Sequence, residues 1–265
     1  MLDDIQQKID EAYNAEGSEE ARSYIGASGI GSKCDAELAF SLRGFPNNQI
    51  DPQLKRIFRA GHQAERWVLK DLAKAGLNVI PNDPMTGKQW AYEDFGGHIA
   101  MHTDGFVEEN DETSLLEIKS MNDRSWVKCE KEGVKYSHRH YYDQIQFMLG
   151  YAEIEKCLFV SYNKNTSKYL AEVIEYDEFY FQGLQERAYR ILRNEAAKVA
   201  TDKSDWRCKG CFKRSVCWDN PNLEWKQRFC QHAEPFKDGS WTCGKGISPC
   251  TSQCDQFQRY RPREK

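Results

Sequence analysis

The sequence predicts an α/β fold: a mixed central sheet flanked by helices, with a cysteine-rich metal-binding extension at its C-terminal end. Three observations predict it. Residues 97–120, GHIAMHTDGFVEENDETSLLEIKS, alternate as the two arms of a β-hairpin. Long stretches of helical periodicity near 54–75, 138–151 and 177–199 are interleaved with strand-like runs, the order expected of helices layered on a sheet. Seven of the ten cysteines fall after residue 207, separating a cysteine-poor body from a cysteine-rich end.

Taken in order, residues 1–20 are acidic and polar with little core content, and read as a flexible or helical arm. The segment SYIGASGIGSKCDAELAFSLRG then gives a small-residue loop and a short helix stopped at Gly44. Ser32 is its expected N-cap with Asp35 three residues on, and Cys34 falls in the first turn. After GFPNNQIDPQ comes the clearest helix, Leu54 to Ala75, ended by Gly76. Leu54, Ile57, Phe58, Gly61, Ala64, Val68, Leu72 and Ala75 make its apolar stripe. Glu65 lies beside that stripe and His62 one turn earlier, and a carboxylate there is costly unless paired or bound to metal. LNVIPND supplies a strand leading to the hairpin.

Within the hairpin, the first arm runs His98 to Val107 and the second Ser114 to Lys119. On the second arm Leu115, Glu117 and Lys119 share one side while Leu116 and Ile118 face a core. Asp104 and Glu117, with the Ile118 carbonyl, offer oxygen ligands to a hard cation such as Mg²⁺ or Mn²⁺. Lys119 is placed to orient or deprotonate an attacking water and to balance phosphate charge. This is the equipment of phosphodiester hydrolysis.

Beyond Ser120, MNDRSWVKCEKEGVKYS reads as a loop or broken helix, followed by a helix from His138 to Tyr151. Gln144 adjoins that helix's apolar stripe and is a candidate to reach the nucleotide or a metal-bound water; Gln146 competes for the role. The strands KCLFVSYN and KYLAEVIEY are joined by KNTS, and a helix from Asp177 to about Val199 closes the body.

Composition sets limits. The chain has 265 residues, is 40% hydrophobic and carries a net charge of −4, spread unevenly as +5 over residues 201–265 and −9 over the rest. A basic end is a pointer to phosphate contact. No run approaches the roughly 18 apolar residues of a membrane span, and the acidic start lacks the features of a signal peptide. Clustered cysteines fit metal or cluster ligands in a reducing compartment, so a cytoplasmic protein without membrane contact is expected.

Asp104 followed by Glu117-x-Lys119 across a hairpin resembles the PD-(D/E)XK nuclease superfamily. The cysteines narrow the resemblance. Cys208, Cys211 and Cys217 stand in RCKGCFKRSVC as Cys-x2-Cys-x5-Cys, one ligand short of a closed site, and Cys34 lies near the N-terminal helix. This plan is similar to a RecB-like branch that holds a [4Fe–4S] cluster, which includes CRISPR-associated spacer-processing nucleases, the AddB nuclease domain and phage exonucleases. Over residues 22–220 the resemblance implies a restriction-endonuclease-like core. It also implies Cys34, Cys208, Cys211 and Cys217 as cluster ligands, His62 in AGHQAE as an active-site histidine, Asp104, Glu117 and Lys119 as catalytic groups, and a glutamine motif at Gln144 to Tyr151. Whether His62 or Glu65 meets the metal stays open, as does Gln144 against Gln146.

The organisation expected is an arm (1–20), a nuclease core with its cluster segment (21–220) and a cysteine-rich tail (221–265). In the tail Cys230, Cys243, Cys250 and Cys254 suit a tetrahedral Zn²⁺ site; free thiols, or a ligand set shared with Cys208 to Cys217, are the alternatives. Trp206, Trp218, Trp225 and Trp241, four of the seven tryptophans, lie in the cysteine-rich region and suit base stacking or packing. The function expected is a metal-dependent DNA exonuclease with a structural cluster, acting on DNA ends, with a recombination or replication protein as partner. The alternative is a catalytically silent nucleic-acid-binding or scaffold protein on the same fold. A cluster-based redox protein is disfavoured, because GASGIG at 26–31 lacks the preceding strand of a dinucleotide site.

Overall fold

In the computed structural model, which describes residues 2–16, 21–110 and 112–264, helix α1 (Leu2–Ala15) precedes a short strand β1 (Ile25–Gly26), the turn-length α2 (Ala27–Ile30) and α3 (Asp35–Leu42). Helix α4 (Pro52–Lys74) leads into β2 (Asn78–Ile80), β3 (Ala91–Asp94), β4 (Ile99–His102), β5 (Gly105–Glu109) and β6 (Glu112–Met121). Then follow α5 (Asp123–Ser137), α6 (Arg139–Ala152), β7 (Lys156–Asn163), β8 (Tyr169–Glu175) and α7 (Glu178–Leu192). The C-terminal end contributes α8 (Arg214–Trp218), β9 (Ala233–Pro235) and β10 (Trp241–Cys243).

The central sheet has the order β2-β5-β6-β7-β8 and is mixed, since β6 and β7 run parallel while its other pairs are antiparallel. Helices cover both faces. Val68 of α4 packs with Val107, Leu116, Ile118 and Val160 on one side, while Leu115 and Phe159 on the other join Ile145, Phe147 and Leu149 of α6. Burying both faces of β6 explains the adjacent apolar pair Leu115 and Leu116, one for each face, with Ile118 beyond them on the α4 side.

The hairpin differs from the expected pair of unbroken arms. Thr103 and Asp104 leave the strand, so β4 joins a separate sheet of order β1-β4-β3 and only β5 pairs with β6. Gly105 makes the break possible: at φ +134°, a Cβ there would lie 2.7 Å from the Ile80 carbonyl oxygen. Asp104 therefore sits at a junction between two sheets. The turn residue Asp111 lies outside the described residues.

Three further expectations are corrected. Helix α3 starts at Asp35 with Cys34 as its N-cap, and Ser32 instead accepts the Cys34 N–H at 3.2 Å and donates to Glu37 at 2.6 Å. Helix α4 begins at Pro52 with the Asp51 side chain accepting from the Gln53 N–H, and of its predicted stripe Ile57 and Phe58 stay 47% and 43% exposed. Its C-terminal half is the part seated on the sheet. The helix from Asp177 stops at Leu192, not Val199, and Asn194 takes a left-handed conformation (φ 63°) as the chain turns away. Of the two forms expected for the stretch after Ser120, it takes the broken helix, α5, interrupted at Gly133 (φ 72°, ψ 162°).

The tail is seated on the body. Phe229 stacks on Phe45 with ring centroids 4.1 Å apart, and Phe229 and Tyr260 belong to the main core. Arg43, 1% exposed, donates from Nη1 to the carbonyls of Arg228 and Cys230 and from Nη2 to Asn194 Oδ1 and the Ala233 carbonyl, at 2.6–2.9 Å. No helix among the described residues is long and apolar enough to cross a membrane.

Candidate active site

Strand register builds the site. Gly105 pairs with Leu116, so Asp104, the next residue outward, comes opposite Glu117. Asp104 is fastened to β6 beside Glu117, where the Ile118 N–H donates to Asp104 Oδ2 at 2.7 Å. Lys119 shares the Glu117 side of β6 and forms an ion pair with Glu117 Oε1. From α6 across that face, Gln144 Nε2 donates to the same oxygen at 2.9 Å. Asp104, Glu117, Lys119 and Gln144 thus come together as the sequence predicts.

The electrostatics follow from burial. Glu117 is 1% exposed, and burial, against the opposing pull of Lys119, pushes its carboxyl up to about 7. Asp104 is raised by burial despite Lys119 and the Ile118 amide. Burial works against the charge on Lys119, but Glu117 and Asp104 more than offset it and hold the ammonium above the usual lysine range. Glu65 of α4 is raised too, by burial and then by Asp104. Three carboxylates therefore feel one another at one corner of the sheet.

The open alternatives separate. Glu65 is half-buried, while the His62 side chain is 76% exposed with Nδ1 3.9 Å from Glu65 Oε2, at the rim. Gln146 is fully buried away from the site, donating to the Glu175 carbonyl and accepting from the Asp177 N–H, both at 2.8 Å. It fastens the entry to α7. Tyr141 of α6 is a further member of the site that no sequence motif singles out: the Lys119 ammonium lies over its ring, 5.2 Å from the ring centre. Its spacing of three residues before Gln144 on α6 is the signal that identifies it.

The donor set suits a hard cation, with carboxylate oxygens that repel one another unless a positive charge joins them. Among the described residues, no group of three or more His, Cys, Asp or Glu side chains is arranged to hold a metal ion. Lys119 supplies the compensating charge at Glu117.

The cysteines form two neighbourhoods. Cys34, Cys208, Cys211 and Cys217 line one cavity of about 240 Å³, together with Lys198, Arg207 and Lys213. Burial pushes the Cys211 thiol up to about 12 and the Cys217 thiol up to about 11, and pushes the Lys213 ammonium down to about 8. The same lining carries Lys33, Lys209 and Arg214 as well, against Glu37. In the tail, the Cys250 thiol is raised by burial and then by Cys243, Cys254 and Cys230 nearby. Cys129 and Cys157 are buried apart from both neighbourhoods.

No family model matches the sequence, and no curated protein does. Among solved structures, the chain is similar to LHK-Exo, an alkaline exonuclease from Laribacter hongkongensis. Against its complex with dAMP the identity is 19% and the TM-score 0.47, over 64% of this chain and 87% of that one. Against a second structure of the same protein the values are 20% and 0.44, over 69% and 91%. A phage related exonuclease from Haemophilus somnus 129PT gives 13% and 0.42, over 68% and 94%. At these scores the likeness fixes neither a family nor an activity for this chain.

Proposed function

We propose that this chain is a divalent-metal-dependent DNA nuclease that hydrolyses phosphodiester bonds at strand ends, as its resemblance to the PD-(D/E)XK nucleases implies. The observation that carries the reading is the buried Glu117 carboxylate, held at one oxygen by both Lys119 and Gln144 and set beside Asp104. Glu65, Asp104 and Glu117 share that corner with the Lys119 ammonium beside Glu117, and a divalent cation would offset the repulsion that remains among the three carboxylates.

Asp104, Glu117 and the Ile118 carbonyl would hold Mg²⁺ or Mn²⁺, with Glu65 the better placed of the two α4 candidates and His62 at the rim. A cation bound there supplies Lewis acidity to the scissile phosphate and acidifies a water. Gln144 fixes the orientation of Glu117 by its amide. Lys119, kept cationic by its acidic neighbours, steers the water and offsets charge on the phosphate; the Tyr141 ring restrains it.

The cysteines serve structure in this reading. Cys34, Cys208, Cys211 and Cys217 hold a [4Fe–4S] cluster that clips the start of α3 to the segment after α7, a long-range cross-link that lowers the entropy of the unfolded chain. Cys230, Cys243, Cys250 and Cys254 hold Zn²⁺ in the tail. The shared cavity of the first set and the mutual influence of the second support these assignments.

A second reading, a silent nucleic-acid-binding protein, draws on the ion pair of Lys119 with Glu117, which already neutralises that carboxylate. One experiment separates them. Anaerobically purified protein is given end-labelled single- and double-stranded linear DNA and a closed circle, with Mg²⁺ or Mn²⁺, beside Lys119→Ala. Shortening of linear DNA alone by the wild type, absent in the variant, is expected. Cutting of the circle makes it an endonuclease; binding without cutting gives the second reading.

A further inference from the structure

The acidic arm lies on a basic helix. In α1 the acids Asp4, Asp10 and Glu11 stand against Lys8, whereas α4 carries Lys55, Arg56, Arg59, Arg66, Lys70 and Lys74 against Glu65 and Asp71. The contact between them is small. Arg56 Nη1 pairs with Asp10 Oδ1 at 2.6 Å, Lys55 Nζ donates to the Tyr13 carbonyl at 2.6 Å, and the Arg56 and Arg59 guanidinium groups sit 5.4 and 5.7 Å from the Tyr13 ring centre.

Two longer contacts join these, Lys55 Nζ to Glu16 Oε2 at 4.0 Å and Gln49 Nε2 to Asn14 Oδ1 at 3.3 Å. Ile5 and Ile9 are 49% and 41% exposed, and from residue 4 to residue 16 only Asp10 and Tyr13 escape the exposed class. A helix of 14 residues is marginal on its own, and partly exposed ion pairs add little and weaken with salt. The arm is therefore easily displaced by a competitor that offers the same chemistry at higher charge density.

That chemistry is an anion and an aromatic face presented together to two arginines. A single nucleic-acid strand offers both, a phosphate for the pairing now made by Asp10 and a base for the stacking now made by Tyr13. The place is apt as well. Arg59 precedes Glu65 by six residues on α4, about 9 Å along the helix, so the two arginines lie on the same helix as a carboxylate of the site, roughly two turns before it. We propose that Arg56 and Arg59 form a contact site for single-stranded nucleic acid, and that α1 occludes it by mimicking a nucleotide with Asp10 and Tyr13. This rests on the nuclease reading of the neighbouring site.

The test is metal-free, so that cleavage plays no part. Fluorescence anisotropy of fluorescein-labelled oligodeoxythymidylate is measured in chelator with wild type, Asp10→Ala/Tyr13→Ala, and a truncation lacking residues 1–16; thermal melting checks that each is folded. Both arm variants should bind about tenfold tighter than wild type at low salt. Adding Arg56→Ala/Arg59→Ala to the arm double variant should abolish the gain. If wild type binds and the arm variants bind equally or more weakly, the occlusion is overturned while the nuclease reading survives. If no variant binds the strand, both fall.

Discussion

Gln144 Nε2 donates to the same Glu117 oxygen that Lys119 holds, at 2.9 Å. A neutral amide from α6 thereby fixes a buried carboxylate on β6, and the amide's loss acts through Glu117. Gln144→Ala is expected to lower the DNA cleavage rate by about 10- to 100-fold. Losing a donor to the charged form also raises Glu117 further, so the rising limb of the pH–rate profile should move to higher pH. Gln146→Ala, which frees only the Glu175 carbonyl and the Asp177 N–H, should leave the rate per folded molecule intact and cost about 1–2 kcal/mol of stability. Equal loss of activity in the two variants contradicts the assignment.

The pH dependence of stability has a definite sign. Glu117 is raised from an ordinary value of 4.5 to about 7 by burial. A carboxyl raised in the folded state contributes stability that is full below its ordinary value and is lost as pH climbs through the folded one, here about 3 kcal/mol in all. Glu117→Gln is neutral throughout. In chelator, the stability of wild type relative to this variant should therefore fall between about pH 4.5 and above about pH 7, read from urea unfolding at both ends. Mn²⁺ at the upper end should restore part of the wild-type stability, because only the charged carboxylate binds it. A constant difference across the range removes the burial argument.

What the sequence makes legible is what local periodicity and register encode. Asp104, Glu117 and Lys119 are singled out because alternation assigns faces along a strand, and the register of Gly105 with Leu116 sets Asp104 opposite Glu117. The break at Asp104 is not legible, since it depends on the Ile80 carbonyl approaching Gly105 from another strand. Gln144 and Gln146 both adjoin the stripe of α6, and only the position of β8 and α7 decides between them. The apolar pattern of α4 predicts burial along its whole length, but the sheet underlies only its C-terminal half, which leaves Ile57 and Phe58 exposed. Arg43 carries no signal in the sequence: its partners are carbonyls some 190 residues on.

The four cysteines around one cavity should behave as a unit. Cys34→Ser, Cys208→Ser or the two together are expected to lose the same iron content and visible absorbance, and to lower the melting temperature by the same amount, because any one removal opens the centre. Cys129→Ser and Cys157→Ser, buried elsewhere, should keep the iron. Additive losses from Cys34→Ser and Cys208→Ser would mean that the cavity is lined by independent thiols.

Arg43 is the point through which the tail is held. Its guanidinium meets three carbonyls and the Asn194 side chain, and it lies 3.9 Å from the centre of the Tyr260 ring and 5.1 Å from that of Trp241. Burial lowers its affinity for the proton to about 10, which leaves it charged at neutral pH without a carboxylate partner among the bonds described. A lysine ammonium reaches one or two of those carbonyls and cannot fork between them. Arg43→Lys is therefore expected to cost about 2–3 kcal/mol and Arg43→Ala rather more, since each carbonyl left without a donor adds a desolvation cost. Limited proteolysis should then cut the tail beyond residue 221 faster than it cuts the body, and zinc, where bound, should leave with it. Uniform protection of tail and body in both variants would show that Phe229 and Tyr260 suffice to seat the tail.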